Sequence, residues 1–227
     1  MLRAVIFDFN GIIVDDEPIH FELFQRVLKE EDINLTEANY YARYLGYDDR
    51  GAFTTVYREH RRALSDSKLA QLIERKAAYY REEIKNKIKV FPGVQTLVPN
   101  LAQKLPLAIA SGALKNEIEI ILSSIELLAH FRAIVSAEDV SRGKPVPEIF
   151  VKALAQLNTV LGSHHPISPA ECLVIEDSKE GIRGARRAGM KCLAVTNSHP
   201  AELLDEADSI VASLEGISQA QLEAICF

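Results

Sequence analysis

The sequence predicts an α/β protein, a doubly wound parallel sheet carrying an all-helical insertion. Three observations lead there. Short continuous apolar runs recur along the chain, as in strands buried on both faces of a parallel sheet. Segments with apolar residues every three or four positions separate them, so strand and helix alternate. Residues 15–87 break that alternation, with helix-like segments and no convincing strand.

Taken in order, Leu2 to Phe9 reads as the first strand, and the insertion follows it, with Phe21, Phe24, Val27 and Leu28 at helical spacing. The return is marked by Phe91-Pro92-Gly93, a turn before a helix that begins near Val94. Further strands are expected at LPLAIAS (105–111), RAIVSA (132–137), CLVIED (172–177), KCLAVT (191–196) and DSIVAS (208–213). Glu117 to Leu127 and Glu148 to Leu161 read as helices between them. The expected domains are therefore a core of residues 1–14 and 88–227 and a helical cap of residues 15–87. Open α/β sheets bind ligands at the carboxyl ends of their strands, so an insertion leaving there is expected to act as a lid.

Composition narrows the function. The chain of 227 residues is 48% hydrophobic, enough to bury a sizeable core. A net charge of −6 and the lack of a Lys/Arg block argue against a nucleic-acid partner. Cys172, Cys192 and Cys226 are few, odd in number and far apart, which suits a reducing cytoplasm better than a disulfide framework or a zinc site. MLRAVIF is too short and too soon acidic for a signal peptide, and no apolar stretch reaches the ~18 residues of a membrane span. The expectation is a cytoplasmic protein without membrane contact.

Four strand ends carry polar residues of a matching kind. They supply Asp8 with Asn10 and Gly11, Ser111-Gly112, Gly143-Lys144-Pro145 and Glu176-Asp177-Ser178. All should converge at one edge of the sheet. Asp8 and Asp177 are hard oxygen ligands of the sort Mg²⁺ takes beside water and substrate phosphate. Ser111 and nearby backbone N–H groups are suited to donate to phosphate oxygens, and Lys144 to neutralise charge on a transferring phosphoryl group. Asp8 is then a candidate nucleophile that forms an aspartyl-phosphate.

The stretches FDFNGIIVDDEP, IASGA, SRGKPVPEIF and VIEDSKEGIRGARRAGM, in this order and with a helical insert after the first, resemble the haloacid dehalogenase superfamily. The resemblance spans essentially the whole chain and lies in the branch of β-phosphoglucomutase-like and phosphoglycolate-phosphatase-like enzymes. It implies a Rossmann-like core with a small helical cap, and Asp8 as nucleophile. It also implies Mg²⁺ on Asp8, Asp177 and the backbone carbonyl of Asn10, with Glu176 supporting the metal and with Ser111 and Lys144 on the phosphoryl group, where the residues themselves already place the backbone at Gly112. With no exposed heptad in the chain, it further implies a monomer.

Position 10 departs from the family, whose phosphatases and mutases have there an aspartate acting as general acid and base. An amide cannot take that role, a loss that typically costs about 10²–10⁴-fold. The backbone carbonyl of Asn10 still serves a metal, so the expectation is a slow enzyme, least impaired on leaving groups that need no proton. Ser178 reads as the cap of a helix ended by Gly189. His20, near the start of the first cap helix, either faces the site and touches substrate or is a solvent-exposed or packing histidine. Arg50, Arg61 and Arg62 read as surface charges, and His164-His165 as a loop without zinc-ligand spacing.

The leading reading is a Mg²⁺-dependent phosphatase of a small phosphorylated metabolite. Mutases of the family usually carry a lysine just before the cap glycine, where this chain has Leu45 before Gly46. That favours a phosphatase over a β-phosphoglucomutase-like phosphomutase. Asn10 keeps open a third reading, a protein that binds or senses phosphometabolites without turnover.

Overall fold

In the computed structural model the structure describes residues 1–44, 47 and 49–226. The reading built on Leu45 and Gly46 lies outside the described residues. The chain divides into two compact units, Met1–Asp15 with Lys89–Phe227, and Asp16–Ile88.

The first unit is a six-stranded, all-parallel sheet of β1 (Ala4–Phe7), β2 (Leu107–Ala110), β3 (Phe131–Val135), β4 (Cys172–Glu176), β5 (Lys191–Val195) and β6 (Ser209–Val211). Spatial order is β3-β2-β1-β4-β5-β6, so the winding reverses beside β1. Every residue of β1, β2 and β4 is buried, which explains why their sequences run apolar without alternation. Helix α7 (Glu148–Leu161) covers one face of this sheet, packing Ile149, Phe150, Ala153 and Leu157 into a cluster with Ile6, Ala108 and Val174. The remaining helices of this unit are α5 (Val94–Ala102), α6 (Lys115–Ser124), α8 (Lys179–Arg187) and α9 (Gln219–Cys226).

Most strands are a residue or more shorter than the runs expected, and two of the differing boundaries have plain local reasons. The first apolar run extends beyond β1, but past Asp8 it turns. The amides of Ile12, Ile13 and Val14 all donate to the Phe9 carbonyl, and Gly11 takes φ +79°. Helix α6 stops at Ser124 rather than Leu127, because Glu126 adopts a left-handed φ of 59° and the Leu127 amide turns back to the Leu122 carbonyl at 2.8 Å. The chain leaves and re-enters this unit side by side, Val14 bridging Val90 and the Asp15 amide donating to Lys89.

Among its described residues the second unit is all helical: α1 (Glu17–Lys29), α2 (Glu37–Arg43), α3 (Asp49–Glu59) and α4 (Asp66–Lys87). Its core is aromatic and aliphatic, built from Phe24, Val27, Leu28, Tyr40, Phe53, Val56, Leu69 and Leu72. Thr36 and Ser65 cap α2 and α4, each accepting an amide three residues on. Arg50 and Arg61 are exposed, as read, and Arg62 donates to the Glu31 carbonyl from the surface. Among the described residues no helix is long and apolar enough to cross a membrane.

Candidate active site

The register of the sheet assembles the site. Phe7 pairs with Ile109 on β2 and with Ile175 on β4, so the next residues of the three strands, Asp8, Ala110 and Glu176, emerge side by side. The Asp8 amide donates to the Ile175 carbonyl and the Ser111 amide to the Val135 carbonyl. These are the carboxyl ends of the strands, at the point where the winding reverses.

Four of the expected groups meet there. The Lys144 ammonium lies 2.8 Å from Asp8 Oδ1 and 2.5 Å from Glu176 Oε1. Asp8, Glu176 and Asp177 each offer an oxygen within 4.8 Å of one another. Glu176 is wholly buried, and its other oxygen accepts from the amides of Asp177 and Ser178 and from the Ser178 hydroxyl. Ser178 also accepts from the Gly181 amide, so it caps α8 as its sequence suggested, while steadying Glu176. The Ser111 hydroxyl donates to Asn10 Oδ1 at 3.4 Å and accepts from the Ala113 amide. Gly112 is exposed, so what it offers a ligand is its backbone.

Three buried acids share one lysine, and their titration shows the imbalance. Burial works against the charge on Lys144, but Asp8 and Glu176 outweigh it and hold the ammonium above the usual lysine range. Glu176 is likewise kept low by Lys144 against its burial. For the other two acids Lys144 acts in the same sense but is outweighed. Burial, then the charge of Glu176, pushes Asp8 well up and Asp177 up to about 7. A surplus of buried carboxylate oxygen that one lysine cannot balance is a donor set suited to a hard divalent cation.

A fifth strand end, unread in the sequence, joins the site. After β5 the Ser198 hydroxyl donates to Asp177 Oδ2, and Asn197 Nδ2 donates to the Gly11 carbonyl at 2.7 Å. The apolar run KCLAVT followed by Asn197-Ser198 carries the same signal as the other four strand ends. Glycine is required at position 11 twice over: φ is +79°, and a Cβ would stand 1.9 Å from Asp177 Oδ2.

His20 belongs to the helical unit. Its Nε2 lies 3.2 Å from Asp16 Oδ2, its Nδ1 lies 2.8 Å from the Lys76 ammonium, and its ring stacks on Tyr80. Lys76 is 2% exposed and also bonds Asp49 Oδ1 at 2.5 Å, while the Tyr80 hydroxyl donates to Asp16. This buried network was legible in part: Leu69, Leu72, Lys76 and Tyr80 follow helical spacing, and a lysine interrupts the apolar stripe.

The sequence model of the haloacid dehalogenase-like hydrolases matches residues 5–195, most of the chain. The chain belongs to this family. This haloacid dehalogenase-like hydrolase is 30% identical over 193 residues to the phosphorylated carbohydrates phosphatase of Thermotoga maritima, covering 84% of this chain and 83% of that one. It is 27% identical over 203 residues to the β-phosphoglucomutase of Bacillus subtilis, covering 88% and 85%. Its fold matches the crystal structure of Rhodobacter sphaeroides CbbY in complex with phosphate at a TM-score of 0.85, with 20% identity over 98% of this chain and 100% of that one. The hydrolase is thus an enzyme of the phosphoric monoester type, within a group that includes phosphatases and phosphomutases of phosphorylated small molecules.

Proposed function

We propose that this hydrolase is a Mg²⁺-dependent phosphatase of a small phosphorylated metabolite, working through an aspartyl-phosphate on Asp8. The observation that carries the reading is the placement of the Asp8 carboxylate at the sheet's reversal point, 2.8 Å from Lys144 and clustered with Asp177 and Glu176. Asp8, Asp177 and the Asn10 carbonyl would hold the cation, which members of the family generally use. When bound, the ion supplies positive charge against the phosphoryl oxygens.

The chain's own residues do the rest. Asp8 presents an oxygen to phosphorus, and Lys144 neutralises charge on the oxygens of the group in transfer. Ser111 and the backbone at Gly112 donate to those oxygens. Glu176, fixed by Ser178 and two amides, holds Lys144 in place, and Ser198 steadies Asp177. Residues Asp16–Ile88 act as the cap of such an enzyme. Leu45, where mutases usually carry lysine, supports hydrolysis over isomerisation.

The test is Mg²⁺-dependent phosphate release from p-nitrophenyl phosphate, whose leaving group barely needs a proton. Asp8→Asn is expected to fall to background while keeping the fold. Activity that survives Asp8→Asn, or that ignores Mg²⁺ and chelator, would refute the assignment. A glucose phosphate isomerised without phosphate release would make the protein a mutase instead.

The acid cluster also predicts how the cation stabilises the fold. Asp8 and Asp177 have raised folded-state pKa values, so in metal-free protein their stabilising contribution is present below the unfolded value of about 3.9. That contribution is lost as pH climbs through the folded values, about 7 for Asp177. Depressed carboxylates elsewhere act in the opposite sense, such as Glu30 bonded by Arg75 and Asp139 bonded by the Ser136 amide. The clean quantity is therefore the shift in melting temperature on adding Mg²⁺. It is expected to be clearly larger at pH 8 than at pH 5, because the cation binds the ionised acids. An equal or larger shift at pH 5 would count against this cluster as the Mg²⁺ site.

A further inference from the structure

The side chain of Asn10 is two residues beyond the proposed nucleophile, on the same turn, and receives the Ser111 hydroxyl at 3.4 Å. An amide has no proton to give a departing oxygen and no capacity to take one from water. Among the described residues of the sheet unit, the polar groups around the Asp8 carboxylate do not replace it. The Ser111 hydroxyl accepts from the Ala113 amide, and its one proton, on Asn10 here, is the one the phosphatase reading gives to the phosphoryl oxygens. Lys144 is the counter-ion of Asp8 and Glu176 together. The carboxylates of Glu176 and Asp177 are spoken for by Lys144, Ser178, Ser198 and the proposed cation. The sheet unit thus joins an intact nucleophile and charge-neutralising group to a turn that offers no acid–base group.

Resting on the phosphatase reading, we infer that the substrates this site serves are activated phosphates, acyl phosphates foremost, and that Asp8 accumulates as a long-lived aspartyl-phosphate. The first step balances without any added proton. An Asp8 oxygen forms a bond to phosphorus, the bond from phosphorus to the acyl oxygen breaks, and its electron pair leaves on a carboxylate that is stable as an anion at neutral pH. Donor and product are both mixed anhydrides of a carboxylic acid and phosphate, so the transfer is close to isoenergetic. An alkyl phosphate differs on both counts, since it must expel an alkoxide that needs a proton and must drive formation of a higher-energy anhydride. In the second step a water oxygen attacks phosphorus, the bond to Asp8 breaks, and the water proton passes to solvent. With no base at position 10 that step is slow, so the phosphoenzyme builds up.

The experiment uses the full chain with Mg²⁺, mixed with labelled acetyl phosphate and, separately, with labelled glycerol phosphate, then quenched in acid and counted for label on protein. Steady-state kcat/KM is read for acetyl, p-nitrophenyl and glycerol phosphates. Near-stoichiometric label from acetyl phosphate, absent in Asp8→Asn, with little turnover of glycerol phosphate, is expected. Asn10→Asp should then raise glycerol phosphate turnover by about 10²–10⁴-fold and shorten the life of the label. Comparable kcat/KM for alkyl and acyl phosphates in the unaltered chain would overturn the inference and leave the phosphatase reading standing. So would turnover of acetyl phosphate with no accumulated label. No Asp8-dependent phosphoryl transfer from any donor would overturn both.

Discussion

Lys144→Met is expected to reduce phosphatase activity to background and to destabilise the fold by about 3–5 kcal/mol, the usual cost of removing one partner from a buried ion pair. Methionine keeps roughly the length of the stem and its place near the Phe150 ring, so the loss isolates the charge. What remains is Glu176, wholly buried, and Asp8, 8% exposed, with no cation between them. Both acids then titrate higher, Asp8 from an already raised position and Glu176 from the low one Lys144 had held it in, and the penalty should shrink as pH falls and they take up protons. Urea unfolding of metal-free protein at pH 5 and pH 8 measures it. Adding Glu176→Gln to Lys144→Met should recover part of the stability, because it removes one of the stranded charges, but no activity. If the single variant were as stable as the parent at pH 8, Lys144 would not be the counter-ion of these acids.

That dependence on one lysine shows what a sequence makes visible. The buried strands were legible because a parallel sheet covered on both faces demands unbroken apolar runs, as in Ala4–Phe7 and Cys172–Glu176. Their polar ends were legible for the same reason, since Asp8, Ser111 and Glu176-Asp177 each stop such a run. Boundaries set by single backbone conformations were not, as with Glu126 at the end of α6. Partnerships between distant residues were the least visible. Nothing in Asn197-Ser198 alone says that the serine meets Asp177 and the asparagine meets Gly11. Lys76 shows only as an interruption in an apolar stripe, and its bonds to Asp49 and His20 appear once α1, α3 and α4 have packed.

The second large effect is expected from Gly181→Ala, and it runs against helix propensity. Gly181 lies inside α8, where alanine normally gains about 0.5–1 kcal/mol over glycine. Here the added Cβ would sit 1.8 Å from Glu176 Oε1 and 1.9 Å from its Cδ, closer than atoms can approach. Glu176 has little freedom to yield, being held by Lys144, Ser178 and the amides of Asp177 and Ser178. Either that carboxylate moves or α8 shifts away from β4, so the propensity gain is replaced by a net loss of about 1–3 kcal/mol typical of overpacking. Because Glu176 sets the position of Lys144 and braces the acid cluster, Mg²⁺ affinity should also weaken by about 10–100-fold, the usual cost of losing an outer partner. Gly184→Ala, in the same helix, is the matched comparison. Its Cβ would meet the edge of the Phe150 ring at 2.9 Å, away from Glu176, so any instability there should leave Mg²⁺ affinity near the parent's. Calorimetric titration of Mg²⁺ into both variants separates the cases, and equal Mg²⁺ binding by Gly181→Ala and the parent would mean that Glu176 does not brace the metal site.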